Sequence, residues 1–327
     1  MIAHPLNVLV VHGIGEQPAA FADEFERILS GQTRRFIDEL AARYHLRAAA
    51  TPRVLNVIPG LWAPVAEDVL KELEHRLFDG RPERMRAFAM RFMGDVIAYQ
   101  GAAVYQEIHR RLTDALRTRV NPASGHLTIV AHSLGTVIAS DFVFDHTRRA
   151  GTKFREHFGV DVVNLFTLGS PLAFYAATSP GRVAGGFGSG RVLDGFDEPL
   201  RLESDRGVWV NIYSDDDVVG YPLKRINAAY AEAVTADVVT DAGNLLTRWN
   251  PLSHGAYWTE PAVIAMIAEK LAIDYAAANL GLPDAAATEA LAGYRRRLTR
   301  PEPRASTPRA ARTRPRPEGS DSVPQME

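Results

Sequence analysis

LTIVAHSLG, residues 127–135, is the stretch on which the reading of this chain turns. Leu127–Val130 are strand-forming residues. Ala131-His132-Ser133-Leu134-Gly135 follow, and then Thr136-Val137-Ile138-Ala139, which have helical character. A serine flanked two residues away on each side by small residues, where a strand becomes a helix, fits the G-x-S-x-G corner. There the serine backbone is strained and the hydroxyl stands above the sheet. Alanine replaces the first glycine of that pattern and hardly changes its sterics. The competing reading is a serine in a tight buried turn, and the neighbouring elements decide between them.

Outward from this corner the chain alternates strand and helix. Asn7–Val11 is β-rich and ends in His12-Gly13-Ile14-Gly15, and a helical pattern then runs through about Tyr44. Arg53–Ile58 reads as a second buried strand, stopped by Pro59-Gly60. Residues 67–118 read as helical, with Met85, Phe88, Ala89, Phe92, Met93, Val96 and Ile97 in one apolar stripe. A helix follows Ser133 to about Arg149. Val160–Leu168 and Val208–Tyr213 are strands, Val234–Val239 is a short one, and Pro261–Tyr275 is a helix. Strands alternating with helices predict an α/β fold: a mostly parallel sheet with helices on both faces. The expected domain covers residues 1–297. The helical stretch 67–118 and the Gly-rich stretch 178–206 are candidate cap elements. Residues 298–327 are rich in proline and arginine and poor in apolar residues, and are expected to be a disordered tail.

The 327 residues are 46% hydrophobic and 23% charged, an ordinary globular composition. A formal net charge of −2 gives no general attraction for nucleic acid or for an anionic membrane. Cysteine is absent, which excludes disulfides, thiolate catalysis and cysteine-based zinc sites. The N-terminal MIAHPLNVLVVHG has no signal-peptide pattern, and no apolar run is long enough for a membrane span. A cytoplasmic protein without stable membrane insertion is expected.

A serine hydroxyl needs a base, and the base needs a group to orient it. On a corner of this type the chain order is serine, acid, histidine. Trp209–Leu223, WVNIYSDDDVVGYPL, is a strand running into three aspartates. Counting three residues from Ser214 selects Asp217 as the acid, with Asp216 next and Asp215 behind it; a solvated turn or a calcium loop is the alternative use of the cluster. Of the ten histidines, the order rule leaves His254, in PLSHGAYW, as the base, on a loop before the last helix. An oxyanion hole needs two backbone N–H donors. Leu134, after the nucleophile, supplies one, and Ile14, between two glycines, is the choice for the other. Trp62, Phe174, Phe187 and Phe196 are candidates, from position alone, for the lining of an acyl pocket.

With VHG at the opening strand, AHSLG, LGSPL at residues 168–172 and a late SHxxYW, the chain resembles the α/β-hydrolase superfamily over roughly residues 6–275, and within it the bacterial lipase- and esterase-like members. The resemblance implies a serine hydrolase of carboxylic esters, with Ser133, Asp217 and His254 as triad and with neither metal nor organic cofactor. It implies a small-molecule or lipid ester as substrate and no specific nucleic-acid partner. HGIGE stands where one esterase group has HGGG, and the strands that usually precede the HG strand are missing. An acyltransferase using the same triad and a non-catalytic binding module of the same fold are the alternatives. A dinucleotide site fails because Pro18 breaks the glycine fingerprint.

Overall fold

A computed structural model of the chain describes residues 3–13, 21–47, 53–62, 94–177, 198–240 and 251–299. Six strands form one sheet: β1 (Leu6–Val11), β2 (Leu55–Gly60), β3 (His126–His132), β4 (Asp161–Leu168), β5 (Val208–Tyr213) and β6 (Ala236–Val239). Their spatial order is β2-β1-β3-β4-β5-β6, and every pairing is parallel. The central strands read as continuous apolar runs because both faces are covered, as parallel sheets require.

Alternation along the strands divides the core in two. Leu9, Val11, Leu127, Ile129, Ala131, Leu165 and Trp209 point to one face. There they pack against helices α2 (Ala102–Arg119) and α3 (Leu134–Phe144), with short helices α4 (Phe154–Phe158), α5 (Leu172–Ala177) and α6 (Ala228–Ala233) beside them. Val8, Val10, Val130, Phe166, Val208 and Val210 point to the other face. They meet α1 (Phe21–Tyr44), α7 (Pro261–Asn279) and α8 (Asp284–Leu298). This is the fold class the sequence predicts: a parallel α/β sheet with helices on both faces.

Topology decides where a site can form. After β1 the chain moves to one side, to β2, and then returns to the other side of β1 as β3. Helix-bearing connections diverge at that point, and the carboxyl ends of β1 and β3 there are where open α/β sheets bind ligands. Val11 pairs with Ala131, which brings His12 and His132-Ser133 to that edge together.

Some boundaries differ from expectation. Strand β2 runs through Pro59 and Gly60 instead of stopping before them. It is an edge strand, where a missing N–H is tolerated. Residues 94–100 are helical, but Ile97 is 62% exposed although it falls in the expected apolar stripe. Asp95 and Tyr99 are the buried residues there, and at 100° per residue Ile97 lies on the opposite side. Within the candidate cap 67–118, the part forming α2 packs on the sheet through Ile108, Leu112 and Leu116, so it is a layer of the core. Residues 67–93 of that cap, and 178–197 of the Gly-rich one, lie outside the described residues. Helix α8 was not assigned from sequence, although Ala287, Leu291, Tyr294 and Leu298 recur at helical spacing and are buried. It extends to Leu298, where the tail was expected to begin; residues 300–327 lie outside the described residues. Among the described residues no helix is long and apolar enough to cross a membrane.

Candidate functional site

Ser133 stands between the last residue of β3 and the first of α3. Its backbone has φ 53° and ψ −131°. Positive φ at a non-glycine residue is sterically costly, on the order of 1–3 kcal/mol, and persists only where the surroundings enforce it. They do so here. The Ser133 N–H donates to the Leu168 carbonyl of β4 at 2.9 Å, and the Ser133 carbonyl accepts from the N–H of Thr136 at 2.9 Å and from its hydroxyl at 2.7 Å. The first turn of α3 also lies against the end of β1. A Cβ on Gly135 would stand 2.3 Å from the His12 carbonyl oxygen and 2.7 Å from that of Val11, so only glycine fits. Ser133 is buried, and its Oγ has no hydrogen-bond partner among the described residues.

Asp217 and His254 meet at the same edge of the sheet. Strand β5 ends at Tyr213, and the turn that follows exposes Asp215 and Asp216 while burying Asp217. His254 Nδ1 lies 2.8 Å from Asp217 Oδ2, and both side chains are almost fully buried. Because the carboxylate accepts, Nδ1 carries the proton, and Nε2 becomes the basic nitrogen of the neutral ring. Asp217 accepts two further hydrogen bonds, from the Val219 N–H to Oδ1 at 2.9 Å and from the Tyr257 hydroxyl to Oδ2 at 2.8 Å. Burial opposes its charge, but His254, Val219 and Tyr257 together outweigh burial and hold the carboxyl below its ordinary range. Among the described residues no group of three or more His, Cys, Asp or Glu could hold a metal ion, so the calcium-loop reading of the three aspartates gains no support.

His254 belongs to a 3-10 turn, Pro251–Trp258, in the connection before the last helix predicted from sequence, where the sequence places it on a loop. That turn explains a partner the sequence reading missed. With three residues per turn, positions i and i+3 eclipse, so His254 and Tyr257 both face Asp217. Tyr257 also accepts the Ser214 N–H at 3.0 Å, which ties the acid's turn to the base's turn through one phenol. Burial, and then the neighbouring carboxylate, push its own ionisation far above the ordinary range, so it stays a donor. The segment SHGAY carried this signal in its spacing.

His12 and Trp62 complete the rim. Their rings stack at 5.1 Å and 7°, and the indole N–H donates to the His12 carbonyl at 2.9 Å. His12 Nδ1 lies 2.8 Å from the Gly13 carbonyl, and burial lowers the His12 pKa to about 4, so the ring is neutral and braces the turn after β1. Trp62 is buried against His12, and Phe174 is 62% exposed. Leu134, the expected oxyanion donor, opens α3 beside Ser133. Ile14, Phe187 and Phe196 lie outside the described residues.

No protein-family model and no curated protein matches the sequence. A solved structure from Xanthomonas campestris pv. campestris, described as a "putative hydrolase of the alpha/beta superfamily", is similar at 14% identity, with 81% of this chain and 95% of that chain covered and a TM-score of 0.33.

Proposed function

We propose that this chain is a serine hydrolase that cleaves carboxylic esters through an acyl-serine intermediate. One observation carries the reading: a serine held at positive φ on a strand-to-helix corner shares its sheet edge with a buried imidazole whose Nδ1 is bound to a carboxylate at 2.8 Å. A turn serine in a structural role has no need of backbone strain, nor of an oriented imidazole at the same edge of its sheet. Superfamily membership of the lipase- and esterase-like type is part of the same proposal.

In the proposed mechanism Ser133 Oγ attacks the ester carbonyl as His254 Nε2 takes its proton. The N–H groups of Leu134 and Ile14 receive the oxyanion. His254 then protonates the leaving alcohol, next takes a proton from water as that water attacks the acyl-serine, and returns it to Ser133 Oγ as the acyl–oxygen bond breaks and the acid leaves. Asp217 stabilises the imidazolium formed in each half and fixes the tautomer. Tyr257 and Val219 hold the carboxylate so that it remains an acceptor throughout.

The test is labelling with a fluorophosphonate probe, followed by an ester panel of varied acyl length. The proposal expects label on Ser133, absent from Ser133→Ala and strongly reduced in His254→Ala. A folded wild-type chain that takes no label refutes it and leaves the non-catalytic binding module. Acyl products that form only when a competing alcohol or amine is added would instead establish transfer.

A further inference from the structure

The proposed mechanism gives no task to His132, the residue before the nucleophile, yet it is buried in the site. Its Nε2 lies within hydrogen-bond distance of the His254 main-chain carbonyl, so it is Nε2 that carries the proton and donates. The ring centroid is 4.7 Å from that of His254, 5.7 Å from Tyr257 and 5.7 Å from Trp258. Three rings of the Pro251–Trp258 turn therefore close around this one side chain. On its other side His132 Nδ1 stands 2.9 Å from where a Cβ on Gly13 would lie, which puts it against the turn after β1. Burial lowers its pKa to about 3, so it stays neutral.

We infer that His132 is a positioning residue that docks the base-bearing turn onto the nucleophile strand through its bond to the His254 carbonyl. Asp217 orients the imidazole from the ring end, and His132 fixes the backbone from which that ring projects. With both ends of His254 held, the angle between its ring and the Ser133 corner is set by two elements, β3 and the turn after β5. Burial lowers the His132 pKa to about 3, so its second nitrogen, Nδ1, is a poor base, and His254 keeps that role. Its catalytic consequence rests on the triad reading above, whereas the docking of the turn does not.

Two variants separate the bond from the bulk. His132→Phe keeps a ring among the three aromatic neighbours and removes the donor. His132→Gln restores an N–H donor at about the same reach on a flexible chain. The first readout, hydrogen–deuterium exchange of the peptide covering 251–260, is independent of catalysis. The inference expects exchange there to rise at least about tenfold in His132→Phe, with β3 still protected, and to be largely restored in His132→Gln. The second readout is the rate of fluorophosphonate labelling, with kcat and KM on an ester the wild type accepts. A displacement of the base of about 1 Å lowers the labelling rate and kcat on the order of 100-fold with little change in KM, and the glutamine recovers most of it. Wild-type protection of 251–260 in His132→Phe overturns the inference. So does equal behaviour of the two variants, which would mean that packing alone matters. If the wild type takes no label, the proposed function fails, and the exchange result still decides the role of His132.

Discussion

Gly169 closes β4, and replacing it with alanine is the most direct perturbation of the acid–base pair that leaves every functional group in place. Its φ is +52°, in the left-handed region. An L side chain there costs about 1–2 kcal/mol. The added methyl also has no room: its carbon would lie 2.8 Å from Asp217 Oδ2, 2.9 Å from Tyr257 Cε2 and 3.1 Å from His254 Cε1. Overpacking of this kind costs about 1–3 kcal/mol. The total, roughly 2–5 kcal/mol, lies within the stability of an ordinary domain, so a folded variant is expected. Gly151→Ala is the matched control. Its φ is +67° and nothing stands within 4 Å of the new carbon, so it carries the backbone cost alone. The two variants should therefore differ by about 1–3 kcal/mol in urea unfolding. Activity should divide them further. The clash is relieved by moving the carboxylate or the imidazole, and a shift near 1 Å costs on the order of 100-fold in rate. The labelling rate at Ser133, corrected for folded fraction, measures this. Equal stability and equal labelling of the two alanine variants would refute the packing on which the site is built, and a rate loss fully explained by unfolding would refute its catalytic meaning.

Asp217→Asn removes the acceptor that fixes the His254 tautomer, and kcat should fall on the order of 10,000-fold while the fold persists; a loss below about tenfold would show that another group orients the ring. Tyr257→Phe leaves the buried Ser214 N–H without its acceptor and should cost about 1–3 kcal/mol in denaturant unfolding at neutral pH. Tyr257 is one of the groups that depress the Asp217 pKa, and a depressed carboxyl contributes stability present above its unfolded value, about 3.9, and lost as pH falls through the folded one. Part of the deficit of Tyr257→Phe should therefore vanish in acid, and a pH-independent deficit would show that Tyr257 does not support the charge of Asp217. Asp141 behaves oppositely: burial in α3 raises its pKa well above the ordinary range, and it is hydrogen-bonded to the Tyr99 hydroxyl at 2.9 Å. A raised folded pKa gives stability that is full below the unfolded value and lost as pH rises, so Asp141→Asn should gain on the wild type progressively as pH rises above the unfolded value, about 3.9, in urea titrations; a constant difference would refute the shift.

The parts of the site that sequence reveals are those governed by local rules. The Ser133 corner is legible because strain restricts the residues at 131 and 135. Asp217 is legible because the strand before it ends at a countable place, and His254 because chain order leaves one histidine. What the sequence withholds is the contact between elements. No spacing rule pairs His132 with a carbonyl 122 residues later, and a pattern of apolar residues at 96 and 97 does not reveal that Asp95 and Tyr99 define the buried side of that helix. Tyr257 lies between these cases: its spacing from His254 is visible, but reading it requires knowing that the segment winds as a 3-10 turn.

That division has a physical consequence for the site itself. The three side chains of the proposed triad come from separate elements, and each element's position is fixed by contacts the local rules do not specify: α3 by the close approach of Gly135 to β1, the turn after β5 by Tyr257 on Ser214, and the 251–258 turn by His132. The residues that would perform chemistry are thus a smaller set than those that make the chemistry geometrically available. Substitutions in the second set should lower kcat while leaving the triad formally intact. A chain that keeps serine, aspartate and histidine in order but carries a larger residue at 135 or 169, or an apolar one at 132, is predicted to bind an ester and turn it over slowly. KM and kcat measured separately on Gly135→Ala, Gly169→Ala and His132→Phe would test this, and a fall in substrate binding with kcat preserved would reverse the assignment of these residues to positioning.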